Sequence, residues 1–148
     1  MFNLSTEGKV TRLSNAVAAG QTTVNGSSVD MQGFEAVTFY VLIGSITSSG
    51  TVDVKAQQSN DDGNSDAFAD LEGTKISYAD DDDNQVAVLE VVNPQERYVR
   101  PVVVRGTADS VIDGIIAVQT GAKVAPVTHD ATTVVGSEVH HAPDEGTA

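Results

Sequence analysis

Apolar and polar positions alternate with a period of two along most of this chain, which is the spacing of half-buried strands. In "TVDVKAQQS", Val52, Val54 and Ala56 fall on one face, and Thr51, Asp53 and Lys55 on the other. In "FEAVTFYVLIGSI", Val37, Phe39, Val41 and Ile43 line one face, while Phe34, Ala36, Tyr40 and Leu42 line the opposite one. A strand apolar on both sides belongs in the middle of a layered structure. Further strands are expected in "QVAVLEVVN", closed by Asn93-Pro94, and in "RYVRPVVVRG" and "SVIDGIIAVQTG" around the turn "GTADS". "FADLEGTKISY" reads as a short strand or a pair of turns. Leu13–Ala19 reads as at most a turn or two of helix. Asn25-Gly26 inside "TTVNGSSV" predicts a hairpin, because both residues tolerate positive φ.

Roughly six to eight strands separated by Gly, Asn, Asp and Ser turns predict an all-β fold, an antiparallel β-sandwich or jelly roll with extended N- and C-terminal arms. At 148 residues the chain is expected to be one domain with a core of its own. Residues 1–30 form an N-terminal arm and first hairpin, 31–126 the sandwich core, and 127–148 an acidic C-terminal tail. That tail carries no Lys or Arg and only a weak apolar cluster at Val134, Val135 and Val139. Its composition predicts disorder in isolation.

Composition narrows the function. The formal net charge of −13 disfavours phosphate backbones and anionic membranes as partners. The absence of cysteine excludes disulfides, thiol catalysis and thiolate metal sites. "MFNLSTEGKVTRL" lacks the basic and apolar regions of a signal peptide, so a cytosolic origin is expected. No apolar run is long enough to span a bilayer as a helix.

The candidate chemistry is thin. A calcium loop starting at Asp61 would put Ser65 and Glu72 at its fifth and twelfth positions, but Gly63 offers no ligand at the third and Asp66 replaces the glycine needed at the sixth. "DDDDN" from Asp80 lacks both that glycine and a closing glutamate. These segments read as solvated turns that keep strand edges from aggregating. His129, His140 and His141 lie in the tail, and adjacent histidines on an extended chain point to opposite sides. No G-x-S-x-G, HExxH, P-loop or G-x-G-x-x-G pattern occurs. No catalytic, cofactor or metal residues are assigned, and the expectation is a protein that is not an enzyme.

One cluster stands out. Three of the eight basic residues, Arg97, Arg100 and Arg105, crowd into "RYVRPVVVRG". Pro101 cannot donate to a ladder, so this strand is expected at an edge or a bulge. Alternation puts Tyr98, Arg100, Val102 and Val104 on one face, and Arg97, Val99, Pro101, Val103 and Arg105 on the other. In the bland reading, Arg97 and Arg105 are solvated flanks paired with acids such as Glu90 or Glu96, and such pairs contribute little. In the functional reading, Arg97, Tyr98, Arg100 and Arg105 meet an acidic patch on another subunit and set its orientation.

The order of "TVDVKAQQSNDDGN", "FADLEGTKISYADDDDNQVAVLEV", "RYVRPVVVRG" and "GAKVAPV" resembles small structural proteins of tailed bacteriophages, some of which are head decoration, or cement, proteins. The likeness covers residues 34–127, and its most specific part is "QQSNDDGNSDAFADLEG" followed about twenty residues later by "RYVRPVV". The resemblance implies a homo-oligomer, dimer or trimer, assembled in the host cytoplasm and bound to the major capsid protein on the outer surface of the virion. It implies no catalytic residues and no cofactor. The rival expectation is a tail or adhesion module that binds a host glycan or protein through its loops.

Overall fold

A computed structural model describes residues 2–148. After a single helical turn, α1 (Leu4–Glu7), come strands β1 (Lys9–Ser14), β2 (Val17–Gly20), β3 (Val24–Asn25), β4 (Val29–Asp30), β5 (Ala36–Ile46) and β6 (Thr51–Ser59). They are followed by β7 (Ala69–Asp70), β8 (Ile76–Tyr78), β9 (Val86–Val92), β10 (Tyr98–Gly106) and β11 (Ser110–Thr120). All pairings are antiparallel. The first sheet runs β1–β11–β5–β9, with β2 also on β11; the second runs β3–β10–β6–β7, with β4 on β10 and β8 on β6.

Three edges are therefore built from two short strands laid end to end along one neighbour. Counting each such pair as one strand gives eight positions, and the sheet orders become 1-8-3-6 and 2-7-4-5. That is the double Greek key of a jelly roll. Of the two all-β architectures the hydrophobic pattern allowed, this is the one adopted.

The core lies between the sheets. Val37, Phe39, Val41 and Ile43 of β5 face Val52, Val54 and Ala56 of β6 and Val99 and Val103 of β10, with Ile112, Ile115 and Ala117 of β11 completing the layer. Full burial of each large apolar side chain contributes about 1.5–3 kcal/mol. β5 lies inside its sheet between β11 and β9, and its outward Tyr40 and Leu42 are half-buried where its inward residues are fully buried.

Two local expectations fail. Within residues 13–19 there is strand and no helix: Leu13, next to the end of β1, lies inside the core at 4% exposure, and β2 follows from Val17 on the same neighbour. A segment this short cannot hold a helix alone, whereas β11 offers it a ready ladder. Asn25-Gly26 makes no hairpin either. β3 and β4 both pair with β10, through Val103↔Val24 and Val99↔Val29, so the chain continues in one direction across the interruption.

Pro101 explains that interruption. It lies in β10, which is flanked by β6 on one side and by β3 and β4 on the other, so the strand is not at an edge. The Gly26 N–H donates to the Pro101 carbonyl at 2.9 Å. A strand residue points its N and C=O to the same side, so the missing donor of Pro101 faces the gap between β3 and β4. A Cβ on Gly26 would lie 2.7 Å from the Pro101 ring. Glycine is needed there for close approach rather than for a turn.

The tail is partly held. Val127 N–H donates to the Thr6 carbonyl at 2.8 Å. His129 Nε2 donates to the Ser5 carbonyl at 2.8 Å, which leaves Nδ1 to accept the Val10 N–H at 3.0 Å. Thr133 Oγ1 accepts from the Arg12 N–H at 3.1 Å. Side chains thus stand in for a strand along the outer edge of β1, and Val134 helps line a shallow pocket of about 340 Å³ with Val10, Leu42 and Ile116. The expectation of a wholly free tail is not met for residues 127–134. The positions beyond Val134 are exposed.

Gly26→Ala is expected to destabilise the protein by about 1–3 kcal/mol through overcrowding, and part of the loss should return in a Pro101→Ala background. Denaturant midpoints of the two single variants and the double variant measure that coupling. His129→Ala should expose the tail to limited proteolysis, with a shift in global stability of about 1 kcal/mol or less.

Candidate functional site

The arginine strand β10 sits inside the second sheet, and its alternation divides the basic residues between two environments. Tyr98 and Arg100 project from the outer face. Val99, Pro101, Val103 and Arg105 project inward and are buried. The division by faces matches the sequence pattern, but its consequence for Arg105 is the reverse of a solvated flank.

Arg105 is only 4% exposed. Its Nε donates to the Thr22 carbonyl at 2.8 Å, and Nη1 donates to the Ala18 and Ser110 carbonyls at 2.8 and 2.6 Å. Nη2 donates to Thr22 Oγ1 at 3.0 Å. The acceptors come from β2, from the crossing between β2 and β3, and from the start of β11. No carboxylate takes part. Burial of a cation is costly unless its donors are satisfied, and here the planar fork donates to three carbonyls and one hydroxyl. Gly20 leaves the space: a Cβ there would stand 3.3 Å from Nη2. Arg105 has no surface to offer a partner.

Arg97 precedes β10 and is exposed. Its Nε and Nη2 donate to the two carboxylate oxygens of Asp30 at 2.9 and 2.7 Å, and its guanidinium lies 5.2 Å from the Tyr98 ring centroid. The counterion is Asp30, not Glu90 or Glu96. The hydrogen bond from Arg97 is the main reason the Asp30 carboxyl sits below its ordinary value of 3.8.

Arg100 has a different setting. Its guanidinium lies 4.1 Å from the Phe68 ring centroid, and Nε and Nη2 both donate to Gln57 Oε1, at 2.9 and 2.7 Å. Gln57 Nε2 donates in turn to Asp70 Oδ1 at 2.7 Å, while Lys55 Nζ donates to Asp70 Oδ2 at 2.7 Å. Lys55 first, and then Gln57, hold the Asp70 carboxyl below its usual range. The register supplies this arrangement: Arg100 is opposite Gln57, and Gln57 is opposite Asp70. The result is a planar cation held flat on an aromatic ring, with an amide between it and the nearest carboxylate. Phe68 and Gln57 were missed as partners. The outward alternation of β6 pointed to Gln57, but no local signal places Phe68 under Arg100.

The acidic loops are occupied by their own backbone. Asp61 accepts from the N–H groups of Asn64, Ser65 and Asp66 at 3.0, 2.7 and 3.0 Å. These amides, that of Ser65 foremost, lower its pKa. Asp83 Oδ1 accepts from Ile46 N–H at 2.5 Å and Asp80 Oδ2 from Ser49 N–H at 2.7 Å. The aspartate run therefore fastens the β5–β6 turn instead of standing free in solvent. Among the described residues, no three His, Asp or Glu side chains converge on a metal position. His140 instead reaches Glu138 at 2.8 Å within the tail. No helix is long and apolar enough to cross a membrane.

No family model matches the chain, and no curated protein matches it in sequence. Among solved structures, the crystal structure of PBSX exported protein XepA matches with a TM-score of 0.54 and 13% identity, over 95% of this chain and 46% of that one. The chain thus spans less than half the length of the XepA chain. At that identity the likeness bears on the fold alone.

Removing the inward guanidinium takes four hydrogen bonds from the β2–β11 seam and deprives the buried Ser110 carbonyl of this donor. Arg105→Ala is expected to cost about 3 kcal/mol or more. Arg105→Lys should recover little of this, since one ammonium cannot reproduce the fork. Chemical denaturation of both variants measures the difference.

Proposed function

We propose that this chain is a non-enzymatic virion structural protein, a decoration or cement protein on the outside of an icosahedral phage capsid. The observation that carries the reading is the distribution of charge. In a protein of net charge −13, four of the eight basic residues gather on or beside the outer face of the second sheet: Lys55, Lys75 and Arg97 pair there with Asp70, Asp53 and Asp30, and Arg100 meets no carboxylate. Jelly rolls recur in viral capsid and lectin domains, and the segment order over residues 34–127 resembles phage head proteins. The likeness to XepA supports the fold that this reading needs.

The mechanism is mechanical. A shell filled with compressed DNA fails at the joints between capsomers, and a protein that spans a joint adds buried surface across it. A specific interface of this kind buries about 1,200–2,000 Å². Many copies act together, because each must be released before the joint opens. Arg97, Tyr98 and Arg100 are the proposed contacts on the major capsid protein. Arg100 is the best placed of the three, since its charge is met by an amide and a ring and not by a carboxylate. Arg105 serves inside the fold. The strong negative charge disfavours a position against packaged DNA.

Gel densitometry of purified particles tests the reading. A ratio to the major capsid protein of one, or a simple fraction of one, is expected; a handful of copies per particle would overturn it and favour a tail or adhesion module. Arg100→Glu should weaken particle binding by about tenfold or more, while Arg12→Glu, on the opposite sheet, should leave it unchanged.

A further inference from the structure

The sheet edges are not treated alike. The β1 edge is covered by the tail through His129 and Thr133. The β3–β4 and β7–β8 edges are broken into pieces of two or three residues. The β9 edge is different: seven continuous residues, "VAVLEVV", with no proline, no lysine and no bulge. Such features, with cover, short pieces and charge, are the devices by which natural edges avoid pairing, and of them β9 has only the single charge of Glu90. Asn93 N–H donates to Glu35 O and Ile43 N–H to Gln85 O at the two ends of its ladder with β5. The odd-numbered residues therefore bond to β5, and the N–H and C=O of Val86, Val88, Glu90 and Val92 point away from it. Among the described residues these groups have no backbone partner. Val86, Val88 and Val92 are 47%, 53% and 60% exposed.

We propose that β9 is a dimerisation edge, on which a second copy of this chain pairs antiparallel across a two-fold axis at Leu89. The occupant follows from the strand's self-complementarity. With the axis at Leu89, Val88 lies opposite Glu90 of the partner subunit and Val86 lies opposite Val92 of the partner subunit. All the free N–H groups, four from each copy, then face free carbonyls. An axis at Glu90 would set two like charges directly opposite, which is destabilising. An axis at Val88 would leave Val92 beyond the end of the ladder, because Asn84 already bonds to Gly44. Odd offsets would set free groups against occupied ones.

Charge agrees with this register. Two copies carrying −13 each repel, and β9 has one charged residue in seven. On the outer face Val86 would pair with Val92 of the partner subunit, continuing a surface that already includes Tyr40 and Leu42 of β5 opposite Val88 and Val86. The two first sheets become one sheet across the dimer, and the outer faces of the two second sheets are held in fixed relation. The dimer does not depend on the capsid reading. It is a property of the isolated protein.

Light scattering of the purified chain after size exclusion is expected to give twice the 15.4 kDa monomer mass. Val88→Pro removes an outward N–H without touching the β5 ladder and should halve the mass, as should Val88→Lys if the proline variant does not fold. The chain has no cysteine, so Leu89→Cys reports the register alone: opposed residues at a non-hydrogen-bonded position are about 4.5 Å apart, within disulfide reach. Oxidation should cross-link Leu89→Cys but not Val86→Cys. A monomeric wild type, a dimer that survives Val88→Lys, or cross-linking at Val86→Cys in place of Leu89→Cys would overturn the proposal.

Discussion

A jelly roll carries its chain from one sheet to the other at most of its connections, and at such crossings backbone carbonyls leave the ladders. Buried carbonyls must be answered. At the end of this sandwich where β2 leaves the first sheet and β10 returns to it, the answer is the Arg105 guanidinium, which gathers the Ala18, Thr22 and Ser110 carbonyls onto one side chain. Without it, the seam between β2 and β11 would lose four hydrogen bonds, the buried one to the Ser110 carbonyl among them. Gly20 and the inward phase of β10 are fitted to this contact, and the identity of an apolar residue at 105 would not substitute for it.

The same economy appears at the opposite face of the problem, the edges. Each exposed edge but one is closed by something taken from the chain itself: a tail histidine and threonine on β1, a proline-directed gap beside β10, and short pieces on β6. The aspartate run does similar work on the turn between β5 and β6, where its carboxylates accept backbone N–H groups. A large part of the acidic character is thus spent on internal hydrogen bonding, which is why clusters that look like metal loops hold no open set of ligands.

The two outer faces differ in chemistry. The second sheet carries a linked polar row from Lys55 through Asp70 and Gln57 to Arg100, resting on Phe68. The row is held by hydrogen bonds among its own side chains. The first sheet is smoother and more apolar toward β9. The module thus has one ordered polar face and one apolar edge.

Much of this was legible along the chain. The alternation in β5, β6 and β10 identified their inward sets, because burial on one side of a pleated strand imposes a period of two whatever the topology. The all-β class followed from the same pattern. Position within the sheets was not legible, because it depends on which strands become neighbours across long separations. Pro101 signalled an edge, yet the neighbour's gap absorbed its missing donor and left β10 inside. Leu13–Ala19 and Asn25-Gly26 carried local signals for helix and hairpin that β11 and β10 overrode by offering ladders. Arg105 and Arg100 look alike in sequence, five residues apart; one phase of the pleat made the first an internal fastener and the other left the second on the surface. Local periodicity set what each strand could bury, and only the tertiary pairing decided which polar groups had to be satisfied within, since those obligations arise where distant segments meet.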